Sequence, residues 1–576
     1  MIEFSFRTRD QALQRFQKEV FDLLVIGGGI TGAAVAREAT QRGLKVALVD
    51  RGDFACGTSS KSSKLIHGGL RYLESFDFKL VFEALAERSL LLKTAPHMVR
   101  PIAFYFPVYR NHPQGMNKLS AGLWLYDLLA LLRTPAFHKR LNVTEFLRDF
   151  PKLNSEGLMG GFRYYDATMW DDVLTVEVVR SAAMEGAAVA NYVEAVTPLW
   201  TREQVRGFLV RDLEDRGKSF ELRAHATVFC GGPWTDELGH KLSEQWKDTL
   251  NPSKGIHLVF DSHRLDVPGA LVMSHREDGR IMFVIPRKDL GDGVTIVGTT
   301  DGPVAKDSGR PEDARVESDD VAYLMKMLDD YFPDLKLTNA DIVSTYVGVR
   351  PLMREAVHEG GKASLQKVTR EHTIGRGPGG ITYVVGGKYT THRTMAAEIV
   401  DQALKHWMQD AAQGLKEKSP PKLVPSHTER SLNPRATHDA NARARAQAEK
   451  EGLRISEKLW DRYGSEAVEL LRLHMAPERD DPPGFPLLGA QLRFSIRAGM
   501  VLHLEDFFFR RVPLFLSRAD HGRPWIEEMS RIWAEETMAS ETKRLIEVTR
   551  LEAAIESQAY ESKLSKDSAP QPTARL

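Results

Sequence analysis

Phe21-Asp22-Leu23-Leu24-Val25-Ile26-Gly27-Gly28-Gly29-Ile30-Thr31-Gly32 is the stretch on which the fold turns. Residues 21–26 form an almost unbroken apolar run, the pattern of a parallel strand buried on both faces. Residues 33–42 have helical composition, and 44–50, LKVALVD, read as a second strand. Strand, glycine turn, helix and strand make a βαβ unit of about 30 residues. The glycines satisfy G-x-G-x-x-G, a weak signal alone but placed here where dinucleotide binding requires it. Gly27 permits the tight turn, Gly29 the close approach of a pyrophosphate, and Gly32 close helix–strand packing. The helix start then offers free N–H groups and the positive end of its dipole to phosphate. Asp50 closes the second strand and can accept hydrogen bonds from a ribose diol. The plainer alternative is a glycine-rich turn that binds nothing.

The segment beyond Asp50 separates two dinucleotides. A nicotinamide-binding domain continues with regular α/β units, whereas this chain runs through RGDFACGTSSKSSKLIHGGLRYL. That segment is rich in Ser, Thr, Gly and Lys and poor in apolar periodicity, a loop suited to something polar and extended, so FAD is the expected cofactor. Further on, 187–230 and 255–300 are strand-rich, and 226–230 leads into Gly231-Gly232-Pro233-Trp234. Residues 381–385 form a short apolar strand before Gly386-Gly387-Lys388, with a helix to about His406.

Outside this core, 1–20 read as a helical lead-in. Residues 412–438, punctuated by Pro420, Pro421, Pro425 and Pro434, read as a linker. Residues 439–561 read as a helical domain in which Trp525, Met529, Ile532 and Trp533 share one face. Residues 562–576 are expected to be disordered. The fold class is therefore α/β: a Rossmann-type FAD-binding domain over 21–411 interleaved with a β-rich substrate domain (roughly 90–160 and 250–345), then a C-terminal all-helical domain.

The 576 residues carry 78 basic and 78 acidic side chains, a formal net charge of zero. A global basic field for nucleic acid is absent, and no nucleic-acid partner is expected. Only two cysteines occur, Cys56 and Cys230, which argues against a disulfide framework or a zinc–cysteine site and fits a reducing compartment. No metal site is expected. The charged first twenty residues lack the apolar core of a signal peptide, and no run reaches the roughly 18 apolar residues of a membrane span.

GGGITGAAVA, TSSKSSKLIHGGLRYLE, GGPW, GTTD, TYVGVRPL, TRE and GGKYTTHR succeed one another in that order. Together they resemble the FAD-dependent, respiratory glycerol-3-phosphate dehydrogenases, within the wider D-amino-acid-oxidase-like flavoprotein group. The resemblance covers roughly 20–405 and, more loosely, the helical C-terminal part; SSKLIHGGLRYLE is its most specific motif. Cys230-Gly231 departs from the Ala-Thr more usual there, and no EF-hand loop is present. The resemblance implies hydride transfer from C2 of sn-glycerol 3-phosphate to flavin N5, giving dihydroxyacetone phosphate. It also implies electrons passing to a membrane quinone and FAD held non-covalently.

The phosphorylated substrate needs fixed cations, and arginine's planar fork suits phosphate. Arg71, with Tyr72 beside it, Arg350 and Arg370 are the candidate ligands, and Lys388 is placed near flavin and substrate, where a cation favours anionic reduced flavin. The candidate catalytic residues are Arg350, Lys388 and His257. His257 is the candidate base because histidine titrates near neutrality; His67 is the other histidine candidate, more suited to shaping the flavin pocket. An arginine's reference pKa makes it a poor base. The cofactor set is Gly27, Gly29, Ile30, Thr31, Gly32, Asp50, Arg51, Thr58, Ser59, Ser62, Ser63, Lys64, Leu65, His67, Gly231, Trp234, Gly387, Lys388 and Thr390. Thr390 and Thr391 are equally suited to cap the following helix. Asp166, Asp171 and Asp172 read as helix-capping residues rather than metal ligands.

A quinone acceptor demands contact with a bilayer, so peripheral attachment at the inner face of the cytoplasmic membrane is expected, with the protein otherwise cytoplasmic. Two segments carry aromatics beside cations: 119–132, with Trp124 and Tyr126, and 507–516, with Arg510 and Arg511. Burial in the helical domain is the plainer reading of the second. Oligomeric state stays open, with a homodimer one option. Competing readings are a flavoenzyme of the same group acting on an amino or hydroxy acid, a non-catalytic flavin-binding sensor and, more distantly, a nicotinamide-linked dehydrogenase.

Overall fold

The computed structural model describes residues 2–560, apart from 74–76, 111–114, 132, 216, 276–277, 305–309, 355–371, 417 and 476–486. The apolar run becomes the strand Val20–Ile26, and the helix after the glycines is Ile30–Gln41. Val20–Ile26 pairs in parallel with Val46–Val49 on one side and with Ser219–Phe229 on the other. The sheet continues outward through Thr382–Val385 and Thr373–Arg376 beyond Ser219–Phe229, and through Ala188–Ala190 beyond Val46–Val49. The hairpin Val193–Thr201 and Gln204–Asp212 extends the outer part of Ser219–Phe229.

One sheet face is covered by the helices Ile30–Gln41, Asp171–Met184 and His392–Ala412, whose buried Val35, Val179 and Ile399 join its core. The other face meets the amino-terminal helix Phe6–Lys18 through Leu13 and Phe16. That helix is anchored as well as packed: Ser5 caps it, and the buried guanidinium of Arg9 pairs with Asp212 at 2.5 Å.

Among the described residues the second sheet has ten strands and carries the β-rich part. It is centred on Ser253–Asp261, Val294–Gly298, Ile281–Arg287, Ala270–Ser274, Val99–Tyr109 and Leu158–Met169. Its edges lie further out than 90–160 and 250–345: it includes Leu65–Ile66, runs to Met169, and ends with Ile342–Arg350, which pairs with Ser253–Asp261. The helix Ser318–Tyr331 closes its outer face through Val321, Leu324 and Leu328.

The described residues of 413–437 contain no helix or strand, yet they are strapped down. Arg37 donates to the carbonyls of Thr428 (2.8 Å) and Arg430 (3.2 Å), and Glu38 accepts from Ser426 (2.8 Å) and Thr428 (3.1 Å). Beyond them lie helices from His438–Lys450 to Glu541–Gln558. Trp525, Met529, Ile532 and Trp533 are buried together in the core of this part. Residues 507–516 belong to the same core: Phe507 and Phe508 are fully buried, and Arg510 and Arg511 are buried ion-pair partners. Burial, the plainer of the two readings of this stretch, is therefore what the structure has, and the interfacial alternative falls. The helical part needs those aromatics inside, and its arginines are already neutralised there.

His503 ties this region to the first sheet. Its ring nitrogens lie 3.0 Å from Glu547 and 2.9 Å from Glu214, with the Arg550 guanidinium against the ring and Asp506 nearby. Burial alone would lower its pKa, but the two carboxylates outweigh that and hold it at about 9. Protonation then favours the folded state: the stabilisation is fully present below the unfolded pKa near 6.5 and is lost as pH rises through about 9. It is on the order of 3 kcal/mol. The gap in thermal stability between the wild type and His503→Gln should be widest below pH 6.5 and close above pH 9. A gap independent of pH would refute the charged state.

Candidate active site

A single cavity of about 1290 Å³ runs from the glycine turn of the first sheet to the strands of the second. It exceeds the roughly 300–1,000 Å³ of a typical small-ligand site, as an extended cofactor plus a substrate would require. Gly27, Gly29, Ile30 and Thr31 line its start. Gly32 lies behind them and serves packing: a Cβ there would sit 1.8 Å from the Gly27 carbonyl oxygen. Gly27 itself has φ +111°, and a Cβ would meet the Cys230 carbonyl at 2.4 Å. Ser59 Oγ accepts the N–H of Ile30 at 2.9 Å, linking the Ser-rich loop to the helix start.

Asp50 accepts from the N–H groups of Gly28 (2.5 Å) and Gly52 (2.8 Å). Burial pushes its pKa up to about 6 against the opposing effect of those two bonds. Arg51, Thr58, Ser62, Ser63, His67, Gly231, Trp234, Gly387 and Lys388 also line the cavity. Arg51 stacks on Trp234 at 5.2 Å and pairs with Glu237 at 2.9 Å near solvent.

The second sheet brings GIH, GTTD and YVGVR together. His257 stands opposite both Gly298 and Tyr346, and Arg350 opposite Ser253. The His257 ring stacks on Tyr346 with centroids 4.5 Å apart, and a Cβ on Gly298 would lie 2.4 Å from it. Its Nε2 is 2.9 Å from Ser63 Oγ, while Nδ1 has no hydrogen-bond partner among the described residues. Burial, reinforced by the Arg350 and Lys64 cations, drives its pKa well below the ordinary value, so the imidazole is neutral near pH 7.

Arg350 crosses over Gly255, where a Cβ would lie 2.3 Å from Nη2. It donates to Thr299 Oγ1 (3.1 Å), to the carbonyls of Thr300 (3.1 Å) and Lys254 (3.2 Å), and to Asp301 (3.3 Å). This web holds the guanidinium at the cavity wall. Thr299, Thr300, Asp301 and Arg280 also line the cavity. The GTTD motif pointed to the first three, but nothing in the sequence singled out Arg280, which lies in a connection between strands.

Besides Gly32, three members of the expected cofactor set lie off the cavity. Lys64 is buried in an ion pair with Asp171 (2.5 Å), Leu65 lies in the short strand Leu65–Ile66, and Thr390 is buried in the turn before the helix His392–Ala412. That helix has no side-chain cap from Thr391. Asp171 and Asp172 do stand in the first turn of the helix Asp171–Met184 and accept its N–H groups of Asp172 (2.9 Å) and Val173 (2.8 Å), but Asp171 and Asp166 do more than that. Asp171 accepts from Ser62 N–H (3.1 Å), Ser62 Oγ (2.7 Å) and Lys64, while Asp166 accepts from Arg88 (2.5 Å), Tyr126 (2.9 Å) and Gly68 N–H (3.3 Å). Both carboxylates shape the 62–68 loop, a long-range role invisible beside a helix start. Arg71 and Tyr72 fall in the helical turn Leu70–Leu73, whose Leu70 and Leu73 line the cavity. Their side chains, and all of Arg370, lie outside the described residues.

The glycine cradle, the Ser-rich loop and the unpartnered Nδ1 of His257 fit an extended dinucleotide with a reacting end against the second sheet. The family model for FAD-dependent oxidoreductases matches residues 22–393, and this chain belongs to that family. It is a flavoenzyme that binds FAD. A second model, the C-terminal domain of alpha-glycerophosphate oxidase, matches residues 435–544. The chain is 35% identical to a glycerol-3-phosphate dehydrogenase of Mycobacterium leprae, covering 97% of this chain and 93% of the relative. It is 34% identical to an aerobic glycerol-3-phosphate dehydrogenase of Bacillus subtilis, covering 88% and 90%. Its fold is similar to the FAD complex of the Bacillus halodurans glycerol-3-phosphate dehydrogenase, with a TM-score of 0.73 at 28% identity over 96% and 98% of the two chains.

Proposed function

We propose that the protein oxidises sn-glycerol 3-phosphate to dihydroxyacetone phosphate and delivers the electrons to a membrane quinone. The observation that carries the reading is His257, neutral and fixed by Ser63 and Tyr346, sharing one cavity with the Arg350 guanidinium and the glycine cradle. The names of relatives similar over nearly the whole chain support the substrate.

Bound non-covalently, FAD supplies the two-electron acceptor for the C2 hydride. His257 takes the C2 hydroxyl proton; its neutral state leaves a nitrogen lone pair for that task. Arg350 and Lys388 present positive charge to the substrate, and Arg350 is kept rigid by its web to Thr299, Thr300 and Lys254. Anaerobic addition of sn-glycerol 3-phosphate should bleach the flavin band, whereas glycerol should bleach it slowly. Equal rates on both, or bleaching only by amino or hydroxy acids, would overturn the substrate.

The acceptor reading rests on the helix Gly115–Leu129. Leu119, Gly122 and Leu125 line the cavity, while Trp124 and Leu128 project outward, 61% and 62% exposed. Phe78, Phe82, Leu131 and Phe137 add exposed apolar surface. No described helix is long and apolar enough to cross a membrane, so the reading is peripheral docking at the inner face of the cytoplasmic membrane. The wild type should float with liposomes, resist moderate salt and detach in detergent, while Trp124→Ala should float less and reduce quinone more slowly. A wild type that stays soluble and a variant with unchanged quinone reduction would remove the membrane from the reading.

A further inference from the structure

Residues 50–60 form much of the cavity wall beside the glycine turn without helix or strand, apart from one short helical turn, Thr58–Ser60. Their position must come from contacts. Inside the fold, Ala55 N–H donates to the Gly28 carbonyl at 3.2 Å, and a Cβ on Gly28 would lie 2.5 Å from the Phe54 ring. Between Gly52 and Phe54 stands Asp53, whose carboxylate is fully buried and faces away from the cavity, toward the C-terminal helices.

There it meets two consecutive arginines. Arg510 Nε donates to one oxygen at 2.6 Å, and Arg511 grips both oxygens at 2.8 Å. In an α-helix adjacent side chains diverge. Here Phe507–Arg511 is a π-helical turn, closed by Val512 N–H to the Phe507 carbonyl, and both guanidiniums converge. Such turns often accompany functional sites. Arg510 also binds Asp506 (2.8 Å), which accepts from Tyr192 (2.5 Å), and Arg511 binds the Gly499 carbonyl (3.0 Å). Asn191 bridges Asp53 (3.3 Å) and the Met500 carbonyl (3.2 Å). A buried carboxylate deprived of such partners cannot stay where it is, so the loop follows the arginines.

We infer that the C-terminal domain is part of the cofactor-retention apparatus: through Arg510 and Arg511 it holds Asp53, and thereby the loop that walls the FAD site. Asp53, Arg510 and Arg511 are positioning residues, since none lines the cavity. FAD binding and docking of the C-terminal helices are thermodynamically coupled, each favouring the other. The inference rests on the 27–32 glycine turn holding the dinucleotide.

The test is FAD titration of apoprotein, followed by flavin fluorescence, with the melting temperature of each apoprotein measured alongside. Asp53→Asn and Arg511→Gln should raise the Kd for FAD by a factor within the roughly 5–150-fold range of coupled sites. Met529→Ala, a cavity in the same helical core far from the loop in contacts, should lower the melting temperature and leave the Kd unchanged. Arg511→Lys, which keeps the charge but loses the two-pronged grip, should fall between wild type and Arg511→Gln. In the wild type, FAD should slow amide exchange in 499–511. Two outcomes overturn the coupling alone: variants that bind FAD as tightly as wild type, or a Met529→Ala chain that weakens FAD as much as they do. A wild type that binds no FAD would overturn the cofactor site itself, and with it this inference. Should Asp53→Asn not fold, Arg511→Lys and the exchange measurement decide between the same outcomes.

Discussion

Gly29→Val should give a folded protein that purifies without flavin. Gly29 has φ −73°, which valine tolerates, and the nearest atom to a Cβ there is Ser59 Oγ at 3.2 Å, an end that can rotate aside. The fold therefore has no reason to fail. The branched side chain instead occupies the space through which backbone N–H groups reach the pyrophosphate. Losing two charge-assisted hydrogen bonds of about 1.5–3 kcal/mol each weakens binding by roughly 10²–10⁴-fold. Gly32→Ala is the contrasting case. Its Cβ would lie 1.8 Å from the Gly27 carbonyl oxygen, so helix and strand must separate and the soluble yield should collapse. The checks are the flavin-to-protein absorbance ratio and circular dichroism of each variant. A yellow Gly29→Val protein would show that the pyrophosphate does not lie on this turn. Acid or heat denaturation of the wild type should also release the flavin into solution; flavin left on the chain would point to a bond at His67 or Cys56, both on the cavity wall.

His257→Gln should lower kcat by about 10²–10⁴-fold, the usual contribution of a positioned base, with little change in KM. Glutamine can keep the contact with Ser63 but cannot carry the proton. The pH profile separates this from a packing effect. Burial first, then the Arg350 and Lys64 cations, depress the His257 pKa, so wild-type kcat should stay level as pH falls through 6.5 and decline only well below it. Arg350→Ala removes one of those cations. Its acidic limb should therefore move to higher pH, alongside a rise in KM from the lost phosphate or hydroxyl contact. A His257→Gln enzyme with wild-type kcat, or an acidic limb unmoved in Arg350→Ala, would remove His257 from the role of base.

These two experiments probe opposite ends of the cavity, and the ends differ in how far they could be read in advance. The glycine turn is local. Strand, turn, helix and strand occupy 20–49 in one piece, and each residue's task comes from its neighbours along the chain. Apolar periodicity, glycine's missing Cβ and the helix dipole are short-range physics, so residues 21–50 were legible from the sequence, as was the helical face of Trp525, Met529, Ile532 and Trp533. The family motifs named Arg350 and Lys388 as candidates and histidine's titration range named His257, but neither told what they touch.

Tertiary structure alone decided the partners. Ser63 and His257 are 194 positions apart, Lys64 and Asp171 107, and Asp53 and Arg511 458. Any carboxylate in the sequence can pair with any cation, and only the path of two sheets selects which meet. Asp171 and Asp166 read as helix caps because the sequence displays their neighbours, whereas the contacts by which they shape the 62–68 loop join residues about one hundred positions apart. The 507–516 stretch read as a candidate membrane segment because aromatics beside arginines look alike at a bilayer surface and in a core. Burial distinguishes the two: a charge removed from water must find its counter-charge inside the protein, and Asp53 supplies it only once the distant ends of the chain have come together.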